Sequence, residues 1–158
     1  QGEKSVKIIL LDVRSNADNP KDENPDQLGE QQWKWLEDEI SSNTATFTII
    51  GSGVQILPDD RLVLQESVSE GSRKKLFQLL AHHHAEGVIF LSGDVHYAEI
   101  LESPCPMEGM NYNLVEFTSS GLSHVDTEYY WTSDLLRETY FPQTWKGTRI
   151  FRMNYGVI

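Results

Sequence analysis

Cysteine is nearly absent from this sequence: Cys105 is the single one in 158 residues. No internal disulfide framework can brace the fold, so a hydrophobic core must, and the length suffices for one. One thiol leaves the redox compartment undecided. Positive charge is also scarce, with 13 Lys and Arg against 24 Asp and Glu and a formal net charge of −11. That balance argues against a nucleic-acid-binding or anionic-membrane surface. Long apolar runs are missing, and none approaches the ~18 residues that a membrane span needs. Repeats and low-complexity tracts are missing too. There is no initiator Met and no signal-peptide pattern, since Gln1-Gly2-Glu3-Lys4 leads straight into a short apolar run. Any leader would lie upstream of Gln1, which leaves localisation open. The last residues, Asn154 to Ile158, read like the opening of a strand. Both ends suggest a piece of something larger.

What is present is patterned. Val6 to Leu11 (VKIILL) is continuously apolar, which predicts a strand buried on both faces. Residues 15–27 carry Asn, Asp, Pro and Lys with almost no apolar side chain and read as a solvated loop, the most disorder-like in the chain. Leu28 to Ser41 predicts a helix with Trp33, Leu36 and Ile40 on one face. Asp26 is placed to cap it, and Glu30 sits where the helix dipole favours a carboxylate. Glu37, Asp38 and Glu39 crowd its far end, where carboxylates are unfavourable, and are expected in solvent. Thr46 to Ile50 predicts a second strand, and Pro58-Asp59-Asp60 a turn. Ser72 to Ala85 predicts a second helix, with Leu76, Leu79 and Leu80 as its core stripe and Gly87 as its stop. Val88 to Leu91 predicts a third buried strand. Tyr97 to Leu101 and Asn113 to Phe117 predict two more around a loop that holds Pro104 and Pro106. Residues 121–147 are aromatic-rich and irregular, and Phe151 to Ile158 predicts a last strand. This order points to an α/β layered fold whose sheet begins parallel and continues antiparallel.

In such sheets ligands gather beyond the carboxyl ends of the strands. Asp12-Val13-Arg14, Gly51 to Gln55 and Gly93-Asp94-Val95-His96 stand at those ends. Gly93 is expected to turn the chain sharply and leave Asp94 and His96 projecting. A carboxylate offers hard oxygen ligands, and a neutral imidazole suits zinc, iron or manganese. Asp-x-His is therefore half of a metal site, or else a turn-capping Asp beside a hydrogen-bonded His. Arg14 has the planar fork that grips phosphate, or else it pairs with Asp12 or a loop carboxylate. His124, in the turn Thr118-Ser119-Ser120-Gly121-Leu122-Ser123-His124, faces the same site as a donor or stays in solvent. Glu116 and Tyr97 read as supporting groups, Tyr97 at the rim. His82-His83-His84 cannot chelate one ion, because consecutive helical residues point about 100° apart, and reads as a solvated helix end. Trp33 and Trp35 read as packing residues. Cys105 has no basic neighbour in sequence to lower its pKa.

The apolar strand ending in Gly-Asp-Val-His resembles the last motif of metallophosphoesterases. Further segments resemble the alkaline phosphatase D (PhoD-like) branch. They are Leu11-Asp12 with Arg14; Leu28-Gly29 with Gln32, Trp35 and Leu36; Ser92 to Glu99; Glu116 to His124; and Asn154-Tyr155-Gly156. The resemblance covers nearly the whole chain but only the second half of the family's catalytic domain. It implies that residues 1–158 are the C-terminal part of a PhoD-like domain whose N-terminal half is absent, within a layered αββα sandwich with a mixed sheet. The Gly-Asp-x-x-Asp and Gly-Asn-His motifs that bring most metal ligands in the family are absent. So is a His that many metallophosphoesterases place after the preceding strand, where this chain reads Gly51-Ser52-Gly53-Val54-Gln55. The PhoD-like branch tends to lack that His.

By resemblance Asp94 and His96 are the metal ligands of this half, with Arg14 and His124 in phosphate-binding or supporting roles. The implied cofactors are two or more metal ions, iron and calcium by family pattern, with zinc or manganese also suited to the ligands. The implied activity is hydrolysis of phosphate monoesters or diesters, with the isolated fragment inactive. The implied partners are a phosphate-ester small molecule and the missing half, and the family resemblance allows secretion or membrane association. Two cations roughly 3.5–4 Å apart neutralise a phosphate ester and generate hydroxide near neutral pH. Asp94 and His96 alone cannot hold both. A half of this kind would expose apolar surface and is expected to associate or dissolve poorly if made alone. The competing reading is a non-catalytic scaffold or binding module that retains the fold. A nucleotide-binding reading is weaker, because Gly51-Ser52-Gly53 is too short for a phosphate loop and lacks the following Gly-Lys-Ser/Thr.

Overall fold

A computed structural model describes residues 4–58, 67–103, 109–125 and 149–158. The apolar runs form strands and the periodic segments form helices. In chain order these are β1 (Val6–Leu11), α1 (Gly29–Ser41), β2 (Phe47–Ser52), α2 (Glu70–His82), β3 (Val88–Ser92), β4 (Ala98–Glu102) and β5 (Val115–Ser119). The strands make a five-stranded sheet in the order β1-β2-β3-β5-β4. β1, β2, β3 and β5 run parallel, and β4 pairs antiparallel with β5 at one edge. The expected parallel start and antiparallel finish are both present, with β5 inserted between β3 and β4.

The helices cover one face. Trp33, Leu36 and Ile40 of α1 are buried, as their spacing predicts, with Leu76, Phe77 and Leu80 of α2. They join one core cluster with Ile9, Ile50, Val88, Phe90 and Leu101. The other face is equally apolar, and neither described helix covers it. Register aligns Ile8 with Ile49, Ile89 and Val115, and Leu10 with Gly51, Leu91, Phe117 and Ile100. Leu10 is 73% exposed and Ile8 65%. The prediction of a strand buried on both faces is thus wrong for β1. Its Ile9 and Leu11 are buried while Val6, Ile8 and Leu10 are exposed, because β1 is an edge strand with one face covered.

Other expectations need smaller corrections. Phe151 to Ile158 is not a strand; an isolated bridge from Ile150 to Ala98 is the pairing there. α2 stops at His82, three residues short of the predicted Ala85, and His84 (φ 49°) carries the left-handed turn. Gly87 (φ 64°) follows, where a Cβ would lie 2.6 Å from the Thr46 carbonyl. Of the triple His, expected as a solvated helix end, His83 is instead half-buried and lies 3.4 Å from Glu37 Oε1 of α1. Glu39 is not simply solvated, since it pairs with Lys7 at 2.6 Å. Trp33 is core, but Trp35 is 41% exposed. Asp59 and Asp60 of the expected turn, Cys105 with its neighbouring prolines, and residues 126–147 lie outside the described residues. Among the described residues no helix is long and apolar enough to cross a membrane.

The loop after β1 is exposed yet tethered. Asp26 accepts hydrogen bonds from Gly29 N (3.0 Å), Trp33 Nε1 (2.7 Å) and Ser72 Oγ (3.0 Å), which ties the start of α1 to α2. The expected cap is therefore made by Asp26, before the residue where the helix formally begins.

Candidate functional site

Three parallel strands in sequence order bring their carboxyl ends to one edge of the sheet. Asp12 and Arg14 follow β1, Gly53 to Gln55 follow β2, and Gly93 to His96 follow β3. The turn after β5 delivers Ser120 and His124 to the same edge. The structure thus gathers Arg14, Asp94, His96 and His124. Arg14 Nη2 lies 3.5 Å from Asp94 Oδ1. The His96 and His124 rings meet edge to face at 4.7 Å between centroids. Arg14 is not paired with Asp12 by its side chain. Asp12 Oδ1 instead accepts the backbone N–H groups of Arg14 (3.0 Å) and Ser15 (2.9 Å). Hydrogen bonds from Ser15 and Arg14 hold the Asp12 carboxyl below its ordinary range.

The backbone of the β3 tip differs from expectation. Gly93 does not carry the left-handed turn. Asp94 (φ 76°) and His96 (φ 58°) carry it, in a region uncommon for non-glycine residues but one that Asp and His enter more often than most. Such strain costs of order 1–3 kcal/mol per residue and persists only where the surroundings over-determine it, which is common at functional sites. The surroundings here are specific. Ser120 Oγ accepts from His96 N (3.2 Å), and Ser120 N donates to the Tyr97 carbonyl (3.2 Å). A Cβ at Gly93 would make only ordinary contacts, 3.8 Å from Ser120 Oγ and 3.9 Å from the Gly53 carbonyl, so space does not demand a glycine there.

Behind the turn lies a buried polar layer in which Glu116 and Tyr97, expected as supporting groups, are joined by Gln55, Glu99 and Arg149, for which the sequence suggested no such role. Gln55 Nε2 donates to Glu99 Oε1 (2.7 Å) and Thr118 Oγ1 (3.0 Å). Arg149 Nε donates to Glu99 Oε2 (2.8 Å). Tyr97, expected at the rim, is only 3% exposed and its hydroxyl donates to Glu99 Oε1 (3.3 Å). Glu116 is fully buried and accepts from Ile56 N and Leu57 N, both at 2.8 Å, pinning the loop after β2. The clue was available as alternation: Glu99 and Glu116 sit at inward positions of otherwise apolar strands. Apart from Tyr97, the partners named here lie 44 to 60 residues away, which no local pattern reveals.

Two carboxyls, the buried Glu116 and the half-buried Asp26, respond oppositely to pH. Burial pushes Glu116 up from its ordinary value of 4.5, and Glu99 adds to the rise against hydrogen bonds from Ser92, Leu57 and Ile56. Its folded form then binds the proton more tightly than the unfolded form. Stability from this group falls as pH rises from the ordinary value to the raised one, and is flat above. Burial also opposes ionisation of Asp26, but hydrogen bonds from Trp33, Ser72, Gly29 and Leu28 outweigh it and lower the pKa. That contribution is present above the ordinary value of 3.8 and is lost as pH falls through the lowered one. Urea midpoints measured across pH are expected to lose the Glu116 slope in Glu116→Gln while the acid-side loss remains. The amide accepts only one of the two N–H groups, so a further cost of about 1–3 kcal/mol at all pH values is expected. Identical pH slopes in both proteins would refute the assignment.

What could the edge hold? Asp94 offers carboxylate oxygens and His96 imidazole nitrogens, both on exposed side chains. These donors fit part of a mixed oxygen–nitrogen metal shell. Among the described residues, however, no group of three or more His, Cys, Asp and Glu is placed to enclose an ion. Beside them an open concavity of about 410 Å³ runs over Gly51, Ser52, Gly53, Ser92 and Gly93, where small residues leave room.

Comparison with known proteins follows the same lines. A family model described as PhoD-like phosphatase matches residues 3–146. A solved structure titled "Structure of PhoD" is similar in fold, with a TM-score of 0.66 and 16% identity over 93% of this chain and 32% of that one. This chain therefore spans less than a third of the PhoD chain it resembles. No curated protein matches the sequence. Since the family match runs through every described strand and helix, the chain belongs to the PhoD-like phosphatase family.

Proposed function

We propose that this chain is the C-terminal half of a metal-dependent phosphoesterase domain, acting on phosphate monoesters or diesters once joined to its N-terminal half. The observation that carries the reading is Asp94 and His96 held in left-handed backbone at the tip of β3, with Arg14 and His124 beside them. Asp94 and His96 would each give a ligand to the metal centre, and the other half would complete the shell. When bound, the cations would neutralise phosphoryl oxygens and supply hydroxide near neutral pH. Arg14, whose side chain is 59% exposed, orients Asp94 and offers N–H donors to a phosphate oxygen. His124, edge-on to His96, limits that ring's rotation and offers a donor at the same edge.

The open apolar sheet face supports the division into halves. Apolar contacts in register across all five strands need a cover in water, and the upstream half is the natural one. One observation favours the scaffold reading: no group of three ligating residues gathers among the described residues. The two readings part in one experiment. The complete polypeptide is expected to hydrolyse a chromogenic phosphodiester or phosphomonoester, to lose that activity on dialysis against a chelator, and to regain it with added metal. Elemental analysis of the same sample then identifies the metal among iron, calcium, zinc and manganese. Absence of hydrolysis at any metal loading would favour the scaffold.

A further inference from the structure

The strain at Asp94 and His96 needs a source of restraint, and the buried layer behind them has the right connections. Tyr97 follows His96 directly. Its ring is covered by the Arg149 guanidinium at 5.5 Å and packs on Phe151 at 5.1 Å. Its hydroxyl reaches Glu99, its carbonyl takes Ser120 N, and the next residue, Ala98, exchanges backbone hydrogen bonds with Ile150. Glu99 is the hub. Its side chain is fully buried, and one carboxylate collects Gln55, Tyr97 and Arg149 from three separate segments. A buried charge leaves such an arrangement only at high cost, because removing one partner strands the others.

We propose that Glu99 is a positioning residue: by clamping Tyr97 between Gln55 and Arg149 it holds Asp94 and His96 in their left-handed conformation. The proposal rests on the reading of Asp94 and His96 as metal ligands only for its consequence, not for its geometry. A carboxylate that never touches the metal or the substrate thereby sets the shape of the ligand turn. Glu99→Gln keeps the shape and one oxygen but removes the charge that draws in Arg149.

The test uses the complete polypeptide, metal-free, with selectively labelled backbone amides. In Glu99→Gln the Asp94 and His96 resonances are expected to move while that of His83, at the opposite end of the sheet, stays. A general loss of structure would move all three. Titration with Mn2+ alone is expected to show about tenfold weaker binding, the scale of an outer-shell loss. If Glu99→Gln does not fold, Tyr97→Phe removes a single hydroxyl from the same clamp and carries the same expectation. Unmoved Asp94 and His96 resonances in the folded variant overturn the proposal. If the unsubstituted protein binds no Mn2+, the ligand reading fails, and movement of those resonances still supports the positioning role.

Discussion

Replacing Asp94 and His96 together by alanine is expected to lower phosphate-ester hydrolysis by the complete polypeptide more than about 100-fold. That exceeds what loss of an outer-shell partner usually costs a metal site. The geometry allows a stronger form of the test. Both residues are exposed and both occupy left-handed backbone. Alanine there retains the steric penalty of roughly 1–2 kcal/mol per residue, whereas glycine has none. Asp94→Gly with His96→Gly should therefore match or exceed the alanine pair in thermal stability while being as inactive. A site kept for structure would show the two properties falling together. Hydrolysis at the original rate in either pair would remove Asp94 and His96 from the chemistry.

Gly121→Ala should cause a large loss of stability for one added methyl group. A Cβ at Gly121 would collide with Asn154 Nδ2 and stand 3.1 Å from the Arg152 carbonyl. Asn154 is a clasp. Its Oδ1 accepts from Ser119 Oγ (3.0 Å) and Gly121 N (3.4 Å), and its Nδ2 donates to the Arg152 carbonyl (2.8 Å). Its own N–H donates to the Gly121 carbonyl at 3.0 Å. Ejecting the side chain forfeits its three side-chain bonds, at about 0.5–1.5 kcal/mol each, so a loss of about 2–3 kcal/mol is expected. For a chain of this size that lowers the melting temperature by roughly 5–10 °C. The double variant with Asn154→Ala should lose much less than the sum of the two single losses, because the clasp can be broken only once. Additive losses would mean that Gly121 and Asn154 act separately. The same clasp orders the turn that presents His124, so Gly121→Ala should also disturb the His96–His124 contact.

How far the sequence foretold this structure depends on the range of the interaction concerned. α1 and α2 were legible because Trp33, Leu36 and Ile40, like Leu76 and Leu80, repeat at helical spacing. The site edge was legible because buried parallel strands must end in exposed tips, and Asp12, Arg14, Asp94 and His96 follow such runs. β1 misled because a continuous apolar run does not say whether both faces are covered within the same chain. The turn misled because glycine is the usual carrier of such backbone, whereas Asp94 and His96 carry it here. Glu99, Gln55 and Arg149 were illegible as a group, since only the sheet order brings them together. The strand predicted at Phe151 to Ile158 failed because apolar residues there, such as Val157 (86% exposed), find no ladder among the described residues.

The sheet order β1-β2-β3-β5-β4 carries a consequence for synthesis. Chains emerge from the ribosome amino end first and build structure in that order. β2 and β3 can each dock on the strand already made. β4 cannot, because its strand neighbour β5 is translated after it. Glu99 waits longer still, for an arginine 50 residues downstream. The nascent chain must therefore carry an unpaired edge until β5 is made, and an incompletely paired Glu99 until Arg149 appears. The clamp behind the ligand turn is then among the last parts to close, which makes residues 98–102 the segment where a chaperone or a premature stop would be felt most.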